Sequence, residues 1–432
     1  MLLTKDNKLT SSYYEASVSR PASEPSLAGQ IDADVCVVGG GLAGLSAALE
    51  LVARGYSVAL LEAKNIGWGA SGRNGGQALV GFASDDAIEE QLPAEDARRA
   101  WHITVEGLQL IHQRMAAHKI DCDFVPGYMS LAVNPRKARV LSDWVEHVGR
   151  AYDYQMQPIV PADIGQWIAS SRFHSGAYDS KSGHLHPLKY CLGLAAAAKS
   201  AGVRIFEDSP VQDIVRGAQP LVKTAQGAVR SRFVVLAGNV YLGEFSKRLA
   251  PELPKRIMPV GTYITATEPL PKERADALIR HRAAVCDTNF VLDYFRLTAD
   301  HRVLFGGRVS YSTSTPPDLA MSMRQRMLTV FPQLQDVPLA HTWGGFVDIT
   351  MNRAPDFGRL GENIYYLQGF SGHGLVLTGM AGKLAAEAIA GQAERFDLMA
   401  RIKHHPFPGG ALMRTPALVL GMLYYQIKDM LP

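Results

Sequence analysis

Apolar and polar positions alternate along this chain with two different periods, and the changes of period mark its elements. Asp34-Val-Cys-Val-Val-Gly39 is a short β-branched apolar run, the pattern of a buried strand. Helical spacing follows from Leu45 and stops at Gly55, a C-cap position. A second apolar run, Ser57-Val-Ala-Leu-Leu-Glu62, comes at once. Helical patterns cover about 93–118, 136–150, 187–202 and 318–330. Val203-Arg-Ile-Phe206 reads as a strand, and 257–267, 290–297 and 302–307 are β-rich runs separated by turn residues. Near the C-terminus a strand pattern, Asn363–Gly369, leads into a helix from Leu375 to Ala390 that Gly391 ends.

The turns between these elements carry the chemistry. Gly39-Gly40-Gly41-Leu42-Ala43-Gly44 joins the first strand to its helix and matches G-x-G-x-x-G. Gly39 permits the tight turn, Gly41 lets a pyrophosphate approach the backbone, and Gly44 lets the helix pack close. The helix N-terminus, at Leu42 and Ala43, offers N–H groups and partial positive charge to phosphates. Glu62, followed by Ala63, ends the second strand and is placed to accept hydrogen bonds from ribose hydroxyls. An acid there disfavours a 2′-phosphate, which points to FAD or NAD rather than NADP. Strand, glycines, helix, strand and acid in that order predict dinucleotide binding.

A second glycine cluster, Gly67-Trp68-Gly69-Ala70-Ser71-Gly72-Arg73-Asn74-Gly75-Gly76-Gln77, starts five residues after Glu62. A plain NAD domain would continue there with another helix and strand. A polar glycine-rich loop instead suits an extended dinucleotide and a flavin ring, with Gly69, Ala70, Ser71, Asn74, Gly75, Gly76 and Gln77 as the expected contacts. The third cluster is Phe370-Ser-Gly-His-Gly374, where Gly372, His373, Gly374 and Leu375 open a helix. A helix N-terminus beside a flavin would stabilise the negative charge that reduction brings. Three such turns imply one long cofactor, FAD.

Composition narrows the class. Hydrophobic residues make up 47% and charged residues 20%, which excludes a disordered, fibrous or polytopic membrane chain. Lys+Arg 44 against Asp+Glu 41 leaves +3, too little to argue for nucleic acid. The four cysteines, Cys36, Cys122, Cys191 and Cys286, form no CxxC pair, so reduced thiols are expected rather than zinc. Adjacent His404 and His405 point apart and predict no metal. The polar N-terminus lacks a signal-like apolar stretch, and no apolar window is long enough to span a bilayer. The expected location is cytoplasmic. The apolar stretch 416–432 is expected to dock on the body or a subunit interface, with peripheral contact at the inner face of the membrane as the alternative.

The motifs are similar to those of a known family. Ser12-Tyr-Tyr-Glu-Ala-Ser17, Ile66–Gln77, Ile120-Asp-Cys-Asp123, Gly183-His-Leu-His-Pro187, Ala237-Gly-Asn239, Leu292–Thr298, Pro355–Leu360, Tyr366–Gly374 and His405–Gly410 carry the likeness. The chain resembles FAD-dependent amine and amino-acid oxidoreductases of the D-amino-acid oxidase and glycine oxidase type, and within them the bacterial gamma-glutamylputrescine oxidoreductases. The resemblance implies an α/β plus α+β fold: a Rossmann-like FAD-binding domain with an inserted antiparallel-sheet substrate domain. Residues 30–90, 155–240 and 345–400 would form the first, 91–154 and 241–344 the second, and 401–432 a C-terminal docking segment. It implies that Val211 meets adenine through its backbone. Some relatives tether FAD through a cysteine late in the chain; with none beyond Cys286, FAD is expected to be non-covalent. It also implies oxidation of an amino-acid-like amine, gamma-glutamylputrescine foremost, with L-pipecolate or a sarcosine-like substrate as the alternative. Oxygen and a quinone both remain open as electron acceptor. A flavin that is only structural, and an NAD-linked dehydrogenase, are the readings from other classes.

Flavin oxidation of an amine needs the C–H over flavin N5, a neutral nitrogen and a held substrate. Hydride transfer followed by imine hydrolysis requires no strong base, so positioning groups are sought. Tyr294 and Arg296 alternate on a predicted strand and share a face. Arg296 is expected to grip a substrate carboxylate, with Tyr294 adding a hydroxyl; the plain alternative is an ordinary surface strand. Arg308 and Arg353 are weaker candidates. His373 is placed to hydrogen-bond the ring. Trp343, Phe346 and Tyr263 suit aromatic walls or simple core, and His184 and His186, on one side of an expected strand, suit structural roles. The acidic run 85–90 reads as a solvated face.

Overall fold

Val35–Val38 and Val58–Leu61 are buried at every position. A strand covered on both faces belongs inside a parallel sheet. The computed structural model, which describes residues 12–246, 248–289, 291–310 and 316–407, places them there. Six strands run in the order Asp356–Leu360, Ile364–Gln368, Phe233–Leu236, Val35–Val38, Val58–Leu61 and Arg204–Phe206. All pairings are parallel except that of the edge strand Asp356–Leu360. The helices Leu42–Ala53 and Gly374–Ile389 pack together on one face. Gly382 permits that approach, because a Cβ there would lie 2.5 Å from Ala43 O and from Ala47 N. A small sheet of Gly29–Asp32, Gly227–Arg230, Leu221–Lys223 and Asp213–Val215 packs beside this layer.

The second large sheet has nine strands and is mostly antiparallel. Its path is Leu339–Thr350, Ile257–Thr267, Val303–Ser310, Tyr294–Leu297, Ala284–Asp287, Val125–Ala132, Ser175–His184 and Gln77–Ala78, with Gln157–Ile159 beside Ser175–His184. Alternation divides its faces. Phe295, Leu297 and Phe305 join Met323, Met327 and Phe331 in a core beneath the helix Leu319–Val330. Leu304, Ile264 and Trp343 face the other way and pack with Tyr13, Tyr14 and Leu188. The elements that place the site are thus the parallel sheet's glycine turns and this second face.

Pairing moves the expected domain boundaries. Gln157–Ile159 and Ser175–His184 belong to the nine-stranded sheet, so the stretch expected to enter the FAD-binding layer at 155 rejoins it only at the helix Pro187–Ser200. Ser175–His184 mixes glycine, serine and lysine, and its own pattern does not say which sheet it joins; His186 lies beyond the strand, at the cap of Pro187–Ser200. Leu339–Thr350 likewise runs unbroken through the boundary expected at 344–345. The run 290–297 becomes a strand only from Tyr294, because Asp287 holds the preceding turn: its carboxylate accepts from Asn289 N at 3.0 Å and Asp293 N at 3.1 Å. Among the described residues no helix is long and apolar enough to cross a membrane. The stretch 416–432, expected to dock or touch a membrane, lies outside the described residues.

Candidate active site

The first two glycine turns meet at Ser71. Its Oγ accepts the Leu42 N–H at 3.0 Å, and a Cβ on Gly41 would lie 2.7 Å from that oxygen. Gly39 has φ +113, and a Cβ on Gly44 would stand 1.9 Å from Gly39 O, so helix and strand approach as closely as backbone allows. Glu62 sits across this turn and accepts from Gly40 N at 2.6 Å and Lys64 N at 2.8 Å. Burial raises its pKa, while each oxygen keeps a further lone pair for a hydroxyl donor. Ser209 N donates to Glu62 O at 2.8 Å, which lays the segment leading to buried Val211 along the end of the strand that Ala63 follows.

The third turn closes on the second. Gly372 has φ +84, and His373 follows as the cap of Gly374–Ile389, with Leu375 buried behind it. The imidazole lies by the backbone at Leu79 and Val80, just beyond the second loop; its Nε2 is buried with no partner among the described residues. Burial lowers its pKa to about 4, so the ring is neutral near pH 7. Asp348 holds this turn from the sheet side, accepting the Gly369 N–H, while Ser371 N donates to Asp348 O at 2.9 Å. The result is a cradle of glycine backbone with one orphaned polar atom, which fits a flavin dinucleotide.

The second loop is stitched to the nine-stranded sheet. Asn74 turns inward, giving Nδ2 to Ala70 O at 2.9 Å and accepting Gly76 N at 2.8 Å. Gln77 donates to Val285 O at 3.1 Å and accepts the Cys286 thiol at 3.0 Å. Trp343 Nε1 donates to Arg73 O at 2.9 Å, and Arg73 reaches Trp68 O at 3.0 Å and Gly344 O at 3.2 Å. Gly69 and Ala70 enter a short 3-10 turn, and Gly75 lies against the Tyr294 ring, where a Cβ would come within 2.7 Å. Burial raises the Tyr294 phenol, which therefore stays protonated.

Arg296 is the main correction to the expected site. It shares the face of Tyr294, but Nε and Nη2 of its guanidinium are spent on the protein. Nε donates to Gly75 O at 2.7 Å, and Nη2 donates to Leu185 O at 3.1 Å and the Tyr14 hydroxyl at 3.0 Å. The expected carboxylate grip gives way to a strut between the loop, the sheet and the N-terminal helix Tyr13–Ala16. Arg353 stands at the end of Leu339–Thr350 with φ +61 and is also engaged; the Arg308 side chain lies outside what is described. Trp343 and Tyr263 are core rather than walls, Tyr263 on the far face of the sheet. Phe346 instead joins Trp68 and Tyr241, which the sequence reading did not single out. Their rings meet edge-on at 5.2 Å. A lone tryptophan among the glycines of the second loop was the available signal. His184 and His186 are structural, bonded to Arg282 O at 2.9 Å and Lys189 N at 3.1 Å. Burial, then the Arg296 charge, lowers both to about 3. Of the acidic run, Asp85 faces inward against Trp144 Nε1 at 3.0 Å rather than solvent. Among the described residues no three metal-ligating side chains cluster.

The family model for FAD dependent oxidoreductases matches residues 34–388. This chain belongs to that family. FAD is therefore its cofactor, and the chain is similar to enzymes of amine and amino-acid oxidation. Gamma-glutamylputrescine oxidoreductase of Escherichia coli (strain K12) is 42% identical over 423 residues, 98% of this chain and 99% of that one. The probable oxidoreductase OrdL of Haemophilus influenzae is also 42% identical over 423 residues, 97% of each. Glycine oxidase from Geobacillus kaustophilus has a solved structure that superposes with TM-score 0.70 at 20% identity, covering 84% of this chain and 95% of that one. The mixed α/β architecture is thus that of the FAD-dependent oxidases, and the relatives named above are enzymes of amine and amino-acid oxidation.

Proposed function

We propose that this oxidoreductase oxidises the C–N bond of a terminal alkylamine on a longer molecule of gamma-glutamylputrescine type. The observation that carries this reading is Arg296: closed on Gly75 O, Leu185 O and Tyr14, it leaves no guanidinium fork for the α-carboxylate of a compact amino acid. Arg73 is spent on Trp68 O and Gly344 O in the same way. A terminal alkylamine needs no such grip. It needs an apolar wall that keeps its nitrogen neutral, and Trp68, Tyr241 and Phe346 supply one beside the loop. The identity of 42% to an Escherichia coli enzyme named for gamma-glutamylputrescine supports the same substrate class.

FAD, when bound, supplies the two-electron acceptor for the hydride on the carbon next to nitrogen, and water then hydrolyses the imine. In this reading Gly39, Gly41, Leu42, Ala43 and Gly44 hold the pyrophosphate, Glu62 and Ala63 the ribose, and Val211 the adenine. Gly69, Ala70, Ser71, Gly75 and Gly76 follow the dinucleotide with their backbone, while Asn74 and Gln77 hold the loop's shape. Gly372, His373, Gly374 and Leu375 present a helix N-terminus and the free Nε2 to the ring. Tyr294 borders the substrate as a neutral hydroxyl. Attachment is non-covalent: the Cys286 thiol is tied to Gln77, and burial pushes its pKa up to about 12.

The test is anaerobic mixing of the yellow holoenzyme with gamma-glutamylputrescine, L-pipecolate and sarcosine in turn, followed by air. The first should bleach the flavin fastest. Fast bleaching by L-pipecolate with none by gamma-glutamylputrescine would reverse the assignment. Return of colour within one mixing time of air identifies oxygen as acceptor; colour that returns only with an added quinone identifies the other.

A further inference from the structure

A cleft of about 360 Å³, lined by none of the glycine-loop residues, reaches Arg296, and the reaction above does not use it. Its floor is Arg296, His184 and Thr298, and its rim includes Tyr13, Lys272 and Arg282. Arg296 is only 3% exposed, yet it forms no ion pair with any described carboxylate. Buried charge without a counter-charge is costly, and neutral carbonyls compensate it only in part. Nη1, moreover, makes only two long contacts, to Leu297 O at 3.3 Å and His184 Nδ1 at 3.5 Å. The one carboxylate lining the cleft, Asp123, is held by Lys189 at 2.8 and 2.9 Å.

The rim is held in an unfavourable shape. His281, Arg282 and His301 have φ of +62, +52 and +66, a left-handed conformation that non-glycine residues seldom adopt. Arg282 is fixed there by Asp276 at 2.7 Å and Thr298 O at 2.7 Å. Lys272, also bound to Asp276, lines the cleft with its side chain 65% exposed. A cation without a counter-charge thus lines the cleft, and Lys272 and Arg282, which share the single carboxylate Asp276, line it too.

We propose that this cleft binds a small dicarboxylic acid, one carboxylate against Arg296 Nη1 and the other against Lys272 and Arg282. The volume suits a small organic acid, and Arg296 Nη1, held by no short contact, can give a charge-assisted hydrogen bond to one carboxylate oxygen. Arg296 also holds Gly75 O, so occupation of the cleft and retention of FAD are coupled through one guanidinium, and the coupling is reciprocal.

The test is titration calorimetry of the holoenzyme with succinate, beside propionate and inorganic phosphate. Succinate should bind saturably at one site. It should bind on the order of tenfold more tightly than propionate, the gain expected of a second charge-assisted contact. K272A should weaken it about fivefold and K272E further, with melting temperatures near the parent's showing that both fold. Release of FAD on dilution, followed by its fluorescence, should slow when succinate is present. Absence of a saturable heat, or succinate binding indifferent to K272E, would overturn the site. Phosphate binding as tight as succinate would overturn the ligand class. None of these readouts depends on which amine the enzyme oxidises.

Discussion

Arg296 Nε lies 2.7 Å from Gly75 O, and its Nη2 lies 3.0 Å from the Tyr14 hydroxyl. One buried guanidinium therefore ties the middle of the flavin loop to the N-terminal helix. Arg296→Ala leaves Gly75 O and Leu185 O without donors, at a cost of about 3 kcal/mol or more. The expected phenotype is weak FAD retention with little change in KM for the fraction that stays yellow. Arg296→Lys should recover only part, since an ammonium cannot reproduce the planar fork. FAD dissociation constants and KM, measured together, decide the matter: normal FAD affinity with a raised KM would restore the carboxylate grip and remove the strut.

Two glycines of the first turn should fail differently. A Cβ on Gly44 meets Gly39 O at 1.9 Å, which is backbone and cannot yield. A Cβ on Gly41 meets Ser71 Oγ at 2.7 Å, which can rotate away. Gly44→Ala is thus expected to lower the melting temperature steeply, and Gly41→Ala to fold while binding FAD more weakly. Equal melting temperatures for the two variants would contradict the close helix–strand approach.

His373 Nε2 is buried at the third turn without a hydrogen-bond partner among the described residues. His373→Ala should keep FAD but slow anaerobic flavin reduction by about 10- to 100-fold, at or below the usual loss for one positioned hydrogen-bonding group. Its pKa, lowered by burial from 6.5 to about 4, also fixes a sign. Between those values the unfolded chain binds the proton and the native one does not, so stability falls as pH drops through that window. His184 and His186, lowered to about 3, act in the same direction. Thermal melts of the parent should lose stability below pH 6.5, and His373→Gln should lose less. Parallel melting curves for the two would remove His373 from this account.

The readable part of the molecule was the local part. Gly39, with its φ of +113, and Gly44, under a backbone oxygen, satisfy demands set within a few residues, so spacing alone exposed the dinucleotide turn. The helices expected at 93–118 and 187–202 appear as Ala94–His118 and Pro187–Ser200 because each carries its own apolar stripe. Arg296 was misjudged for the converse reason. Its partners lie 221, 111 and 282 residues away, and no periodicity reports a contact of that span. Ser175–His184 was expected in the wrong layer because pairing with Val125–Ala132, not its own apolar content, decides which sheet it joins. Trp68 and Tyr241 become neighbours only once the second loop folds onto the segment after Phe233–Leu236.

Asp348 sets an opposite pH dependence at the third turn. Its carboxyl is buried under Gly369–Ser371, and burial raises its pKa from 3.8 to about 7, although the backbone N–H groups of Gly369 and Phe370 work against the rise. Between those values the native state holds a proton that the unfolded chain has lost. The contribution is therefore complete below about pH 3.8 and is lost as pH rises through 7. Above that, an ionised carboxylate stands beneath the turn that carries His373. Asp348→Asn keeps an oxygen for the Gly369 N–H and removes the ionisation. From pH 5 to pH 8 the parent's melting temperature should fall relative to that of Asp348→Asn, a comparison in which the shared histidine effects cancel. A decline of the same slope in the Asn variant would show that the buried proton lies elsewhere.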